Sequence, residues 1–288
     1  MQALGPMQAI RRHHPDSTLT LLTTKPYIDI AEKSGLFQDI LMDTRPAWMD
    51  IKGWIHLRKK LNDGHYTRVY DLQNNDRTSF YFRLMSPRPE WVGVAPGASH
   101  RNISPERTAG LAFDGHVQTL SLAGIHDVAV DTLSWMKSDI STFAIKTPYL
   151  LLIPGSAPSR PEKRWPAAHY AALCRMALDR GVEPVLIGTD SEIPLLKEIS
   201  NTHPDILNLG GQTQITDIPA LARGALAAIG NDTGPMHLIG PTGCKTIVLF
   251  SPASDPRRHA PLGKNVITVQ KNNLKEISAK DVWAELNI

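Results

Sequence analysis

The chain has 288 residues, 42% of them hydrophobic, with 31 basic and 28 acidic residues spread along its length. That composition supports a large core and a division into two domains of about 140 residues each. The near balance of charge argues against a dedicated nucleic-acid binder and leaves anionic small molecules as the ligands to consider.

Taken from the N-terminus, MQALGPMQAIRRHHPDS sets Ala3, Leu4, Met7 and Ile10 at three- and four-residue spacings, loads its last turn with Arg11, Arg12, His13 and His14, and stops at Pro15. The pattern predicts a helix with no strand in front of it. TLTLLTT (18–24) is a β-rich run, Lys25 to Ser34 a short helix ended by Gly35, and DILM (39–42) a strand. A helix over IKGWIHLRKKLN (51–62), a strand RVYDLQ (68–73), a helix around TSFYFRLM (78–85) and a strand EWVGVAP (90–96) continue the alternation of a parallel sheet. A helix is expected across Glu106 to Leu122, after which the pattern fades into a connection.

The second half is sharper. PYLLLIPGS (148–156) is a buried-strand run entering a small-residue loop, and AAHYAALCRMALDRG (167–181) is an amphipathic helix closed by Gly181. VEPVLIGTD (182–190), helix 191–201, ILNLGG (206–211), helix 217–225, LAAIGND (226–232), a short helix, KTIVLFSP (245–252), NVITVQ (265–270) and a helix near SAKDVWAEL (278–286) complete a doubly wound, Rossmann-like domain. The expected division is 1–146 and 147–288. Cys174 and Cys244 stand seventy residues apart with no CxxC or HExxH in the chain, so no disulfide framework or zinc site is suggested and a reduced, cytoplasmic setting fits. No apolar run reaches the ~18 residues of a spanning helix, and the N-terminus lacks the apolar core of a signal peptide.

In parallel sheets ligands bind beyond the carboxyl ends of the strands. The loop GSAPSRPEKRWP carries Gly155 and Ser156, which permit close backbone approach, and Lys163, which can set an ammonium against a phosphate; Arg160 reads better as a solvated basic residue. In NDTGPMHL, Asp232 or Thr233 can cap the following helix and Gly234 leaves backbone N–H groups open to an anion, although an ordinary N-cap has the same signature. His237 has the position of a structural histidine. In IGTDSE, Glu192 stands where a carboxylate could accept bonds from ribose hydroxyls or simply complement a helix dipole.

As a set, GSAPSRPEKRWP, IGTDSE, NDTGPMHL and FSPASDPRRHAPLG resemble, in order and spacing, the donor-site motifs of the bacterial lipopolysaccharide heptosyltransferases. GPMQAIRRHHPDSTLTLL and RVYDLQ resemble that family's first half more loosely. The resemblance implies an α/β fold of two Rossmann-like domains with parallel sheets (GT-B), the second holding an ADP-activated heptose. Lys163 would stabilise the departing diphosphate, Ser156 and Gly155 would contact it, and Glu192 would hold the ribose. Asp232, Thr233 and Gly234 would bind diphosphate and sugar, and His237 is a motif member of open role. Gly240-Pro241, Ser251 and Ser254 depart from the family pattern and bear on donor identity.

The implied reaction is inverting sugar transfer to a lipid-linked glycan acceptor at the inner membrane surface, with no cofactor beyond the ADP-sugar. No D-x-D occurs, so a metal bridge is not implied. Family members begin with a strand ending in Gly-Asp, and that Asp is the proposed base; this chain starts just after its place, so a longer protein with an upstream strand is expected. Without it, a non-catalytic nucleotide-sugar-binding relative is the alternative. His13 and His14 stand at the wrong end of their helix to replace the base, and Asp71 in RVYDLQ, better placed, reads more readily as a buried structural carboxylate. Arg11 and Arg12 could approach anionic headgroups, but a helix C-terminus complementing its dipole accounts for them. An NAD-dependent oxidoreductase is disfavoured by the lack of G-x-G-x-x-G.

Overall fold

The computed structural model describes residues 2–287, and the strand and helix counts below refer to them. Met1, on which the expectation of an upstream strand turns, lies outside the described residues. The chain divides into two compact units, Gln2–Ala129 and the segment from Val130 onward.

The first unit runs α1 (Leu4–His13), β1 (Thr20–Thr23), α2 (Ile28–Ser34), β2 (Asp39–Met42), α3 (Ile51–Asp63), β3 (Arg68–Tyr70), α4 (Asp76–Leu84), β4 (Glu90–Gly93), β5 (His100–Arg101) and α5 (Ala112–Ser121). Gly35 ends α2 with φ of 65°, a left-handed cap that glycine takes without strain. The strands are parallel but fall in two sheets, β1 with β2 and β3-β4-β5, so β1 and β3 each pair along one side among the described residues. Side chains tie the pieces together: Leu22 of β1 packs against the cluster of Leu57, Leu61, Phe82 and Trp91, and His14 Nε2 meets Tyr70 Oη at 2.7 Å. The single helix expected over 106–122 is instead a 3-10 turn, Pro105–Thr108, followed by α5. The turn folds back on α5 and seats the Arg107 carbonyl against Gly115, where no side chain would fit.

The second unit contains β6 (Tyr149–Ile153), α6 (Ala167–Leu178), β7 (Glu183–Leu186), α7 (Ile193–Ser200), β8 (Leu207–Asn208), α8 (Asp217–Gly224), β9 (Ala227–Asn231), α9 (Met236–Ile239), β10 (Thr246–Phe250), α10 (Pro256–His259), β11 (Val266–Gln270) and α11 (Ala279–Leu286). One six-stranded parallel sheet in the order β11-β10-β9-β6-β7-β8 is the doubly wound arrangement, with its switch point between β6 and β9. Every residue of β6, β9 and β10 is buried, as the continuous apolar runs required of strands covered on both faces. Leu150, Leu152, Leu173, Leu186, Leu196, Ile229, Ile247 and Leu249 form the core with α6, α7 and α11, each side chain worth roughly 1.5–3 kcal/mol of burial.

The division falls at 129/130 rather than 146/147, because the aperiodic stretch after Ala129 is bonded to the second unit. The Arg223 guanidinium donates to the carbonyls of Leu133 and Met136, Ser138 Oγ donates to the Thr216 carbonyl, and Lys146 N donates to Glu183 Oε2. Such bonds leave no periodic trace in a sequence.

Candidate functional site

The loops after β6 and β9 flank the switch point of the second unit, and the structure joins them through one ion pair and one buried amide. Lys163, ending the 3-10 turn Pro161–Lys163, places Nζ 2.6 Å from Oδ2 of Asp232, the first residue after β9. Only 16% of the lysine side chain and 8% of the aspartate side chain are exposed, so each charge depends on the other for its solvation.

Asn231, fully buried at the end of β9, holds the same two loops. Its Oδ1 accepts from Trp165 N at 3.0 Å, and its Nδ2 donates to the carbonyls of Pro154 at 2.7 Å and Gly155 at 3.2 Å. Trp165, itself buried, donates from Nε1 to the Ile277 carbonyl at 2.8 Å and fixes the start of α6 from the other side. Spacing alone gives Asn231 no role; the signal for it is a polar residue closing an apolar strand immediately before Asp232, where burial demands hydrogen-bond partners.

A second pairing links the loops after β6 and β7. Glu192 Oε2 accepts from Thr189 N at 2.8 Å and Thr189 Oγ1 at 3.0 Å, a capping box at the start of a 3-10 turn. Oε1 is turned onto Gly155, where any side chain would overlap the carboxylate. Gly155 and Glu192, assigned separately from the sequence, are therefore in contact, and Oε1 is the oxygen left to accept a further bond.

The remaining assignments sort differently. Ser156 Oγ donates to the Arg160 carbonyl at 3.0 Å and accepts from Arg164 Nε at 3.1 Å, so its hydroxyl braces the loop. Arg160 pairs with Glu162 at 3.4 Å on the exposed side of that loop. Thr233 is half-buried and Gly234 exposed. Neither Asp232 nor Thr233 caps α9: Pro235 occupies the N-cap position without a side-chain bond, and α9 is a single turn that passes into the 3-10 turn Gly240–Thr242. The cause is local, since Pro235 supplies no N–H for a capping side chain and Pro241 cannot continue the α-helix. His237 Nδ1 is buried without a partner among the described residues, and burial pushes its pKa down to about 4, against the opposing pull of Asp232. The imidazole is neutral near pH 7.

In the loop after β10, Ser251 and Ser254 are buried, and Gln270 Nε2 donates to both their carbonyls. Ser254 Oγ has no partner among the described residues. Asp255 caps α10 through Arg257 N at 3.0 Å, a four-residue element too short to show a period in the sequence.

In the first unit, Asp71 follows β3 directly. Its Oδ1 accepts from Gln73 N at 3.0 Å and Asn74 N at 2.9 Å, its Oδ2 is buried without a partner among the described residues, and burial raises its pKa. His14 is engaged with Tyr70, and burial lowers its pKa.

Among the described residues, no helix is long and apolar enough to cross a membrane. The family model for glycosyltransferase family 9 (heptosyltransferase) matches residues 106–286. Lipopolysaccharide heptosyltransferase 2 of Salmonella typhimurium is 32% identical over 222 residues, covering 69% of this chain and 63% of that protein. Over the first relatives matched, the chain spans between 33% and 63% of their length. Among solved structures, ADP-heptose lps heptosyltransferase II of E. coli superposes with a TM-score of 0.78 at 19% identity, covering 99% of this chain and 93% of that one. E. coli heptosyltransferase WaaC with ADP gives 0.75 at 16% identity, over 99% and 95% of the two chains. The chain belongs to glycosyltransferase family 9, the heptosyltransferase family.

Proposed function

We propose that this chain is an inverting, metal-independent glycosyltransferase that moves a sugar, heptose by its family, from an ADP-sugar to a lipopolysaccharide-core-type acceptor. The Lys163–Asp232 pair at the switch point of the second unit carries the reading. Departure of a nucleoside diphosphate builds negative charge on the bridging phosphate oxygen, and a cation fixed at that point lowers the barrier. Lys163 supplies the cation and Asp232 aims it, so no metal or other cofactor is needed beyond the donor itself. Asp232, committed to the ammonium, is a positioning group and not the base that deprotonates the acceptor.

Exposed Gly234 lets phosphate oxygens approach the backbone, and Glu192 Oε1 accepts from the ribose hydroxyls while Oε2 stays in its capping box. His237, three residues after Gly234, keeps a neutral ring whose buried Nδ1 has no partner among the described residues. That the solved E. coli relative WaaC is a complex with ADP supports an adenine nucleotide as the donor moiety.

Calorimetric titration with ADP and ADP-heptose, on the native chain and on Lys163→Ala, tests the donor site. Binding that weakens at least about tenfold in the variant is expected of a charge-assisted contact. Absence of binding, or binding that ignores the substitution, overturns the assignment. Full binding without transfer to a lipopolysaccharide acceptor would leave the chain a nucleotide-sugar-binding relative.

A further inference from the structure

An exposed apolar tip stands on the first unit, where β2 leads into α3. Trp48, Met49, Ile51 and Ile55 are 68%, 91%, 71% and 64% exposed, four large hydrophobic side chains within eight residues. Ile51 and Ile55 are one helical turn apart and share a face of α3, whose opposite side buries Leu57 and Leu61. A soluble surface scatters such residues singly, and a contiguous group marks a contact.

The tip is built and not merely frayed. Trp54 Nε1 donates to the Ala47 carbonyl at 2.9 Å, Asp50 N donates to the same carbonyl at 2.9 Å, and an Arg77 guanidinium nitrogen donates to the Pro46 carbonyl at 3.2 Å. Asp50 caps α3 through Gly53 N, and the ring of Trp48 lies 5.8 Å from that of Trp54 and 5.9 Å from that of Phe80. The backbone is therefore held in a shape that keeps these apolar side chains outside.

The charge around them identifies the partner. Exposed Arg45, Lys52 and Arg58, with half-buried Lys60, interleave with the apolar residues. Of the nearby carboxylates, Asp63 is paired with Lys59 at 2.7 Å, so that pair adds no net charge, and Asp50 is turned onto Gly53 N, leaving the basic residues in excess. Long basic side chains flanking a short apolar face are what an anionic bilayer surface selects: the apolar groups enter the headgroup boundary while ammonium and guanidinium groups stay among the phosphates. We infer that residues 45–59 form a docking surface for an anionic phospholipid membrane. The loop leaves the carboxyl end of β2, the end at which such sheets take ligands, so docking would bring that end of the first unit to the lipid surface. The inference stands on this surface alone and does not rest on the transfer reaction proposed above.

The test is co-flotation of the full chain with vesicles of phosphatidylcholine alone and of phosphatidylcholine with about one third phosphatidylglycerol, at low and high salt. Partitioning onto the anionic vesicles that weakens with salt is expected. It should fall at least about tenfold in Ile51→Ser/Ile55→Ser and in Lys52→Glu/Arg58→Glu, and stay unchanged in Ile103→Ser, an exposed hydrophobic residue of the same unit outside residues 45–59. Thermal unfolding of each variant reports whether it is folded, and Trp48→Ser/Met49→Ser replaces any variant that is not. No partitioning of the native chain, equal partitioning onto both vesicle types, or a folded tip variant that binds as the native chain does would each overturn the inference. So would vesicle-free self-association abolished by the same substitutions, which would make the tip an interface between copies of this chain.

Discussion

Asp71 and Asp232 occupy equivalent positions in the two units, each the first residue after a parallel strand and each nearly out of water. Their surroundings differ in one respect. Asp232 faces the Lys163 ammonium at 2.6 Å, whereas Asp71 is met by two backbone N–H groups on one oxygen, has no hydrogen-bond partner within reach of the other among the described residues, and feels only a small attraction from Arg107. Burying a carboxylate favours its neutral form unless a cation or enough donors hold the charge. At Asp71 desolvation outweighs the backbone bonds and the pKa rises. The comparison separates a carboxylate held by a paired cation from a carboxyl that serves its own loop: Asp232 faces Lys163 at the switch point, while Asp71 ties down the turn that leads into α4.

Removing the cation should turn Asp232 into a more costly version of Asp71. Lys163→Met leaves the aspartate buried and unpaired, and unfolding by denaturant should show a loss of ~3–5 kcal/mol. Transfer from an ADP-sugar should fall roughly 10²–10³-fold, the usual effect of deleting one group that stabilises developing charge. Adding Asp232→Asn should restore most of the stability and none of the transfer. Recovery of both would mean the ammonium serves the fold and not the diphosphate.

The pair also depends on the buried amide beneath it. Asn231→Leu strips partners from Trp165 N and the Pro154 carbonyl. At about 1–3 kcal/mol for each buried group left unsatisfied, a loss near 3 kcal/mol is expected in denaturant unfolding, together with weaker ADP binding as the Lys163 loop loosens. A variant as stable as the native chain would show that the loops are held chiefly by the ion pair.

Why the sequence pointed to Lys163 and Asp232 but not to Asn231 follows from the physics of each. Charged residues after strand-like runs stand out because α/β sheets bind ligands there, even when they are 69 positions apart. A buried asparagine has no pattern of its own; its partners are the carbonyls of another strand's loop, which only the folded chain supplies. Continuous apolar runs such as YLLLI and TIVLF announced the buried strands, and both stand in the sheet as β6 and β10. The short pieces carried too few residues to show a period: β5 has two residues and α10 four. The division at 129/130 was hidden for a related reason, since Arg223 reaches back across 87 residues to bond the Met136 carbonyl. The split of the first unit into two sheets likewise concerns pairing between strands, and hydrophobic alternation within a strand is silent on it.

His237 sharpens the contrast from the side of a base. Its pKa is pushed down to about 4 by burial, so between about 6.5 and 4 the unfolded chain takes up a proton that the folded one refuses. The stability it contributes is complete above about pH 6.5 and drains as pH falls through the folded value, by at most ~1.4 kcal/mol per pH unit. His237→Gln, which does not titrate, should flatten that part of the profile in melts taken from pH 7 to 4. An unchanged slope would place the acid sensitivity elsewhere.

Asp71 gives the smallest effect and the opposite sign. Its folded pKa lies above the ordinary 3.8, so the folded chain holds a proton that the unfolded chain has already released. The stability linked to it is present below 3.8 and is lost as pH rises through the raised value, after which the buried charge is a constant burden. The bonds from Gln73 N and Asn74 N offset part of that burden, which is why the effect should be weaker than that of His237. Asp71→Asn keeps an oxygen for both N–H groups and has no charge to bury. Plotted as variant minus native stability, its advantage should grow with pH across the acidic range and level off by neutrality. An advantage that shrinks with rising pH would mean the carboxylate is stabilised where it sits, and the distinction between the two aspartates would fail.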